Sequence, residues 1–216
     1  MKRIFTFFAC LIILLVSTTY SFATLTDLGG GFIYDDDRNI TWLYDANYAF
    51  TSGWDSDGRM TWDEANAFLT AVNADIVPNF GYSDWRRPTN QQDPNCGRDG
   101  GWGSINCRLS EMAHLFYDEL GGVGLSRDIG PTDISFFINF QPGEYWSGTE
   151  YIADTNKAWD FAFNDGSQYP NTKDHHFFAL LVHDGRITPV PEPGTLLLLG
   201  LGMAGAVVLR KFIAHG

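Results

Sequence analysis

Apolar residues recur along this chain in three patterns: at spacings of three and four, at a spacing of two, and in unbroken runs near both ends. Gly31 to Tyr34 and Ile40 to Tyr44 are two short strand-like runs around the polar turn Asp35-Asp36-Asp37-Arg38-Asn39, which predicts a hairpin. Thr61-Trp62-Asp63-Glu64 has the spacing of a capping box. Ala65, Phe68, Leu69 and Val72 follow at helical spacing, predicting a helix from about Trp62 to Asn73. Ser110 precedes a second helical stripe, Met112, Leu115, Phe116 and Leu120, which ends at Gly121-Gly122. Farther on the period shortens to two. Trp159, Phe161 and Phe163 alternate with Asp160 and Ala162 ahead of the turn Asn164-Asp165-Gly166. His176 to His183 has the composition of a buried strand, and Asp184-Gly185 turns it into Arg186-Ile187-Thr188. Helices early and strands late predict an α+β domain with two helices and a small antiparallel sheet.

The unbroken runs carry a different message. Met1-Lys2-Arg3 is a short positive leader to the apolar stretch Ile4 to Val16, and Ser21-Phe22-Ala23 then offers the small residues that a signal peptidase reads. Residues 1–23 are therefore expected to be a signal peptide, with the mature chain beginning at Thr24. Thr195 to Leu209 is apolar throughout and closes on Arg210-Lys211. A helix of that length reaches roughly 22 Å, just short of a ~30 Å hydrocarbon core. It is expected to be a single membrane helix, residues 195–209, with the basic pair held inside and everything before Val190 outside. Residues 24–189 remain for one domain with a sizeable core.

Immediately before the last apolar run stands Val190-Pro191-Glu192-Pro193-Gly194. Two prolines stiffen the chain and stop a helix from running into this segment, leaving an extended strand open to a protease. With the apolar helix and Arg210-Lys211 behind it, residues 190–213 resemble the PEP-CTERM sorting signal. That resemblance implies an exosortase-type membrane protease as partner and a Gram-negative bacterium that makes exopolysaccharide. It also implies residence in the inner membrane before processing, then at the cell surface or in the extracellular matrix.

Charge narrows the choice of partners. The chain carries a formal net charge of −12, and Lys2, Arg3, Arg210 and Lys211 all lie in the two end segments, so the exported part is more acidic still. Nucleic acid and other polyanions are excluded as partners bound by charge. All 7 tryptophans lie between the end segments, beside many Gly, Asn and Asp residues. Most are expected in the core, but aromatic faces beside short polar side chains are also what sugar sites use. Cys96 and Cys107 flank a Gly-rich stretch, and in an oxidising compartment this pair is expected to form a disulfide rather than a metal site. Zinc would need further ligands close by, and the nearest histidine in sequence, His114, stands alone.

Five short pieces in order carry a second resemblance: Thr61-Trp62-Asp63-Glu64-Ala65; Asp84-Trp85-Arg86-Arg87-Pro88-Thr89; the helix with Glu111-Met112; Tyr145-Trp146-Ser147-Gly148-Thr149; and Ala158-Trp159 to Gly166 with His183-Asp184-Gly185-Arg186. Together they resemble the bacterial domain named for the C-terminal domain of a collagen-like adhesin, over most of Gly31 to Ile187. Arg87 stands where that family usually has leucine, and the loop from Cys96 to Cys107 is an insertion before the second helix. The resemblance implies a C-type-lectin-like fold and a role in adhesion or glycan binding, with no catalytic residues carried over. Fold alone does not decide between the sugar-binding, protein-binding and oxidative relatives of that architecture.

Candidate chemistry is sparse. In an EF-hand-type register, Asp55, Asp57 and Glu64 fall at calcium-ligand positions with Gly58 at the tight turn, but Gly53 occupies the first position. Glu64 also has a second explanation, as the capping-box partner of Thr61. Calcium is thus the only cofactor this sequence suggests. Asp35, Asp36, Asp37 and Asn39 read as a solvated hairpin turn, and Glu111, Asp118 and Glu119 as a solvated helix face. Trp102 in the disulfide loop, and Tyr145, Trp146 and Tyr151 around the Trp-Ser-Gly-Thr segment, are the candidate glycan contacts. The leading expectation is a non-catalytic surface or matrix binding protein associated with exopolysaccharide. The alternatives are a self-associating structural protein and, behind it, a hydrolase or oxidase on the same fold.

Overall fold

The computed structural model describes residues 25–90, 96–98, 104–124 and 131–189. The expected signal peptide with Ser21, Ala23 and Thr24, the sorting segment from Val190 through Pro191, Glu192 and Pro193 to Arg210 and Lys211, and Trp102 lie outside those residues. No helix among the described residues is long and apolar enough to cross a membrane.

In chain order the elements are β1 (Leu25–Gly29), β2 (Phe32–Asp35), β3 (Ile40–Leu43), α1 (Tyr48–Thr51), α2 (Trp62–Asn73), β4 (Gly97–Arg98), β5 (Ser104–Ile105), α3 (Glu111–His114), a π-turn (Leu115–Glu119), β6 (Glu144–Glu150), β7 (Lys157–Ala162), β8 (Ser167–Thr172) and β9 (Val182–Asp184). They build an α+β architecture with two antiparallel sheets, ordered β1-β2-β3-β9 and β4-β5-β8-β7-β6.

Local chemistry accounts for the most regular pieces. β2 and β3 pair as the hairpin that the two short runs around the polar turn predict, with Phe32 opposite Leu43 and Asp35 opposite Ile40. The capping box at α2 is fully formed: the Thr61 hydroxyl accepts from the Glu64 N–H, and the Glu64 carboxylate accepts from the Thr61 N–H at 2.8 Å. Cys96 and Cys107 are joined as a disulfide with their Cα atoms 4.6 Å apart. The bridge closes a loop whose short strands β4 and β5 extend the second sheet through Ser104, which pairs with Gln168 of β8. Reducing this bond under otherwise native conditions is expected to lower the unfolding free energy by about 2–3 kcal/mol, read from urea denaturation with and without dithiothreitol. An unchanged midpoint would show that the loop contributes nothing to the domain.

Two predicted elements take a different form. The run expected to be one strand from His176 to His183 is extended and buried from Phe177 onward, but only Val182–Asp184 joins a ladder, on β3. Phe177 and Phe178 make single bridges to Met60 and Tyr145. The segment runs between two apolar clusters and feeds both by alternation. Phe178, Leu180 and Val182 enter the cluster with Trp42, Phe116 and Phe161, while Phe177, Ala179 and Leu181 enter the one with Phe68, Trp85 and Trp146. Burial on both faces, which reads as a central strand in the sequence, here comes from packing between layers.

The second helix is also not a uniform α-helix. After one turn at Glu111–His114 the backbone widens into the π-turn Leu115–Glu119, where the Leu120 N–H donates to the Leu115 carbonyl at 2.9 Å. The stripe Met112, Leu115, Phe116 and Leu120 is nonetheless buried throughout. Hydrophobic spacing therefore locates the segment but does not separate the two backbone forms.

Candidate functional site

Arg86 is the polar node that joins the pieces. Its guanidinium grips Glu111 through two bonds, Nη1 to Oε2 at 2.8 Å and Nη2 to Oε1 at 2.7 Å, and its Nε donates to Asp184 Oδ1 at 2.9 Å. The backbones of Arg86 and Val182 exchange both hydrogen bonds at 2.8 Å, and Glu111 Oε2 also accepts from the Thr89 N–H at 2.7 Å. Partial burial alone would lower the Arg86 pKa, but the bonds to Glu111 and Asp184 carry it above its ordinary value. Glu111 is buried and fully engaged. The expectation of a solvated acidic face is therefore corrected at this residue: its carboxylate is a structural anchor.

The segment proposed from its Asp-Gly pattern is a tight loop whose carboxylates bind its own backbone. Asp55 Oδ1 accepts from the N–H groups of Asp57 (3.0 Å) and Gly58 (2.7 Å), while Asp57 Oδ1 accepts from Arg59 at 2.9 Å. Against its slight burial, these bonds hold the Asp55 carboxyl below its usual range. Gly58 has φ +81°, and a Cβ there would meet Asn47 Oδ1 at 1.8 Å, so only glycine fits. Asp55, Asp57 and Glu64 are all accounted for by loop and cap hydrogen bonds, and the cluster of converging ligand atoms among the described residues is a different one.

Of the candidate glycan contacts, Tyr145 and Trp146 face inward. Both rings are fully buried, Tyr145 among Phe140, Phe163 and Phe178, and Trp146 against Phe177. This corrects their assignment as contacts, because a ring without exposed surface offers no face to a sugar. Tyr151, just past the end of β6, is in a different position. It meets Trp159 of β7 edge-to-face, with ring centroids 5.4 Å apart, and the two rings line a cleft of about 520 Å³. Asn90, Thr149 and Glu150 supply its polar rim, and Ile152, 92% exposed, stands at its mouth. The Asn90 N–H donates to Thr149 Oγ1 at 2.9 Å, which fixes one wall of the cleft.

A family model described as the Lcl C-terminal domain matches residues 31–183. The chain belongs to the Lcl C-terminal domain family. A model of the PEP-CTERM protein-sorting motif matches residues 189–211. That motif implies an exported protein, processed by an exosortase at the membrane and sorted toward the cell surface of a Gram-negative bacterium. No curated protein and no solved structure matches the chain.

In this Lcl domain, Arg87 is buried and lies over the indole of Trp62, its guanidinium carbon 4.7 Å from the ring centroid. Its Nη2 donates to Asn66 at 2.6 Å, and burial lowers its pKa to about 10. Lys173 covers the same ring at 4.2 Å. A cation at position 87 is thus accommodated by laying its planar head along an aromatic surface.

The Lcl domain also contains a buried polar cluster that the sequence does not announce. Asp35, His114 and Glu119 each bring one ligand atom into a group in which all lie within 4.8 Å of one another. Asp35, expected in a solvated turn, is instead fully buried at the end of β2, and burial pushes its carboxyl pKa up. Its Oδ1 accepts from the Arg38 N–H at 2.9 Å, and its Oδ2 from the indole of Trp42 at 3.4 Å. His114, alone in the sequence, has three carboxylates around it in the fold.

Proposed function

We propose that this Lcl domain is a non-catalytic binding module of the cell surface, C-type-lectin-like in fold, that holds exopolysaccharide or a related glycan in the cleft of Tyr151 and Trp159. The observation that carries this reading is the pairing of two partly exposed aromatic rings with amide, hydroxyl and carboxylate groups in one concave surface. Sugars present apolar C–H faces and a rim of hydroxyls, and such a cleft meets both. The adhesin-like role that the family suggests and the export toward the cell surface that the sorting motif implies both support this reading.

The test is a glycan array probed with the purified chain, in calcium and in chelator, beside Tyr151→Ala and Trp159→Ala. Binding is expected to survive the chelator, because the aromatic surface does the recognition. Each substitution is expected to weaken binding about tenfold or more, in the range of an aromatic contact at a binding hot spot. Absence of binding to any glycan, or binding by both variants as tight as that of the unsubstituted chain, defeats this reading. Binding that needs calcium would move the site to Asp55 and Asp57.

A further inference from the structure

The cluster at Asp35, His114 and Glu119 has a geometry that hydrogen bonding among its members does not explain. His114 is 6% exposed, Asp35 0%, and the Glu119 side chain 2%. His114 Nε2 lies 3.3 Å from Glu119 Oε1 and 3.8 Å from Asp35 Oδ1, yet neither Nε2 nor Oε1 has a hydrogen-bond partner. Two buried carboxylates beside one imidazole leave an excess of negative charge even when the ring is protonated. Burial of such charge is expensive unless a proton or a cation balances it. The nearby Arg108 is paired with Asp118, and Arg38 meets Asp35 through its backbone N–H.

We propose that Asp35, His114 and Glu119 form a binding site for one divalent first-row transition ion, with zinc the best fit. One imidazole nitrogen and two carboxylate oxygens are a donor set that zinc accepts, whereas calcium takes six to eight oxygens. Around a tetrahedral ion with bonds of about 2.0–2.1 Å, neighbouring donors stand roughly 3.3–3.5 Å apart. The distances of 3.3 and 3.8 Å measured from Nε2 need shifts of only a few tenths of an ångström to meet that geometry.

The surroundings of the ring support the same assignment. His114 Nδ1 faces Asp118 Oδ2 at 3.0 Å, which holds the tautomer with Nε2 free for a metal. A carboxylate behind a histidine ligand is the arrangement that orients and strengthens such ligands. The π-turn supplies the second contribution. On an α-helix, residues five apart point about 140° away from each other. The wider turn over Leu115–Glu119 brings Glu119 back over His114. With Asp35 contributed by β2, the ion staples the first hairpin to α3 from inside the core.

The untagged full chain, exported and purified in detergent, is to be stripped with chelator, dialysed and titrated with zinc by calorimetry, with bound metal counted by plasma mass spectrometry. One zinc per chain is expected, with a rise in the thermal midpoint on loading. Glu119→Gln, which keeps shape and removes charge, is expected to lose both the stoichiometric zinc and the rise. Asp118→Asn is expected to weaken zinc binding about 10–100-fold while leaving the three ligands in place. Should Glu119→Gln fail to give native near-ultraviolet circular dichroism, the Asp118→Asn titration decides alone. Failure of the native chain to take up zinc, or uptake that neither substitution diminishes and that is hence due to other histidines such as His175 and His176, overturns the proposal.

Discussion

Replacing Trp146 with alanine is expected to lower the unfolding free energy by about 3–5 kcal/mol, the range for removing a large aromatic ring from a packed core. The indole is fully enclosed, lies 4.7 Å from the ring of Phe177, and donates its Nε1–H to the Met60 carbonyl at 2.9 Å. Truncation therefore opens a cavity and removes one of the two hydrogen bonds to the Met60 carbonyl, which keeps the one from the Phe177 N–H at 3.0 Å. Urea denaturation followed by fluorescence of the other tryptophans measures the loss. A change below about 1 kcal/mol would mean that the ring does not fill the core and that its assignment as a surface contact should be revived. The same experiment on Tyr151→Ala is expected to show little change in stability, which separates the inward-facing ring from the cleft-lining one.

Arg86→Ala is expected to cost about 3 kcal/mol, because it leaves the buried Glu111 without its cation and removes the side-chain tie to Asp184. Most of this cost lies in the carboxylate left behind. Adding Glu111→Gln to Arg86→Ala should therefore recover part of the loss, and a double-mutant cycle gives the coupling directly. Additive effects of the two substitutions would show that the pair is screened like an exposed one. Thr89 sharpens the test, since its N–H also donates to Glu111 and its segment leads into the wall of the cleft. Loss of Arg86 should consequently loosen Asn90 and weaken glycan binding without any contact to the sugar.

Much of the fold was legible where a local rule is also the tertiary rule. The capping box set the start of α2 because Thr61 and Glu64 satisfy each other's backbone with no help from elsewhere. The hairpin of β2 and β3 and the turn at Asn164-Asp165-Gly166 were legible for the same reason. β8 was not, because Ser167-Gln168-Tyr169-Pro170-Asn171-Thr172 has no apolar alternation and becomes a strand through its pairing with β7 and, at Gln168, with β5. Alternation also cannot say which way an aromatic ring faces, so Tyr145, Trp146 and Tyr151 looked equivalent until packing separated them. Sequence could assemble neither the cleft nor the buried cluster. Trp159 read as one more alternating strand residue, and Asp35 and His114 are far apart in the chain, each with an ordinary local explanation.

The pairing of β9 with β3 has a mechanical consequence. Ile187 is buried, the Tyr82 hydroxyl donates to the Thr188 carbonyl at 2.6 Å, and the chain then enters the sorting motif at residue 189. A pull from that end therefore enters the domain through Thr188, β9 and the first sheet, whereas the cleft is built on β6 and β7 of the other sheet. Load that runs along an antiparallel pair shears several hydrogen bonds together instead of opening them one at a time. A pull on residue 189 would thus reach β3 and β9 first, and the strands that shape the cleft only through the packing between the two sheets.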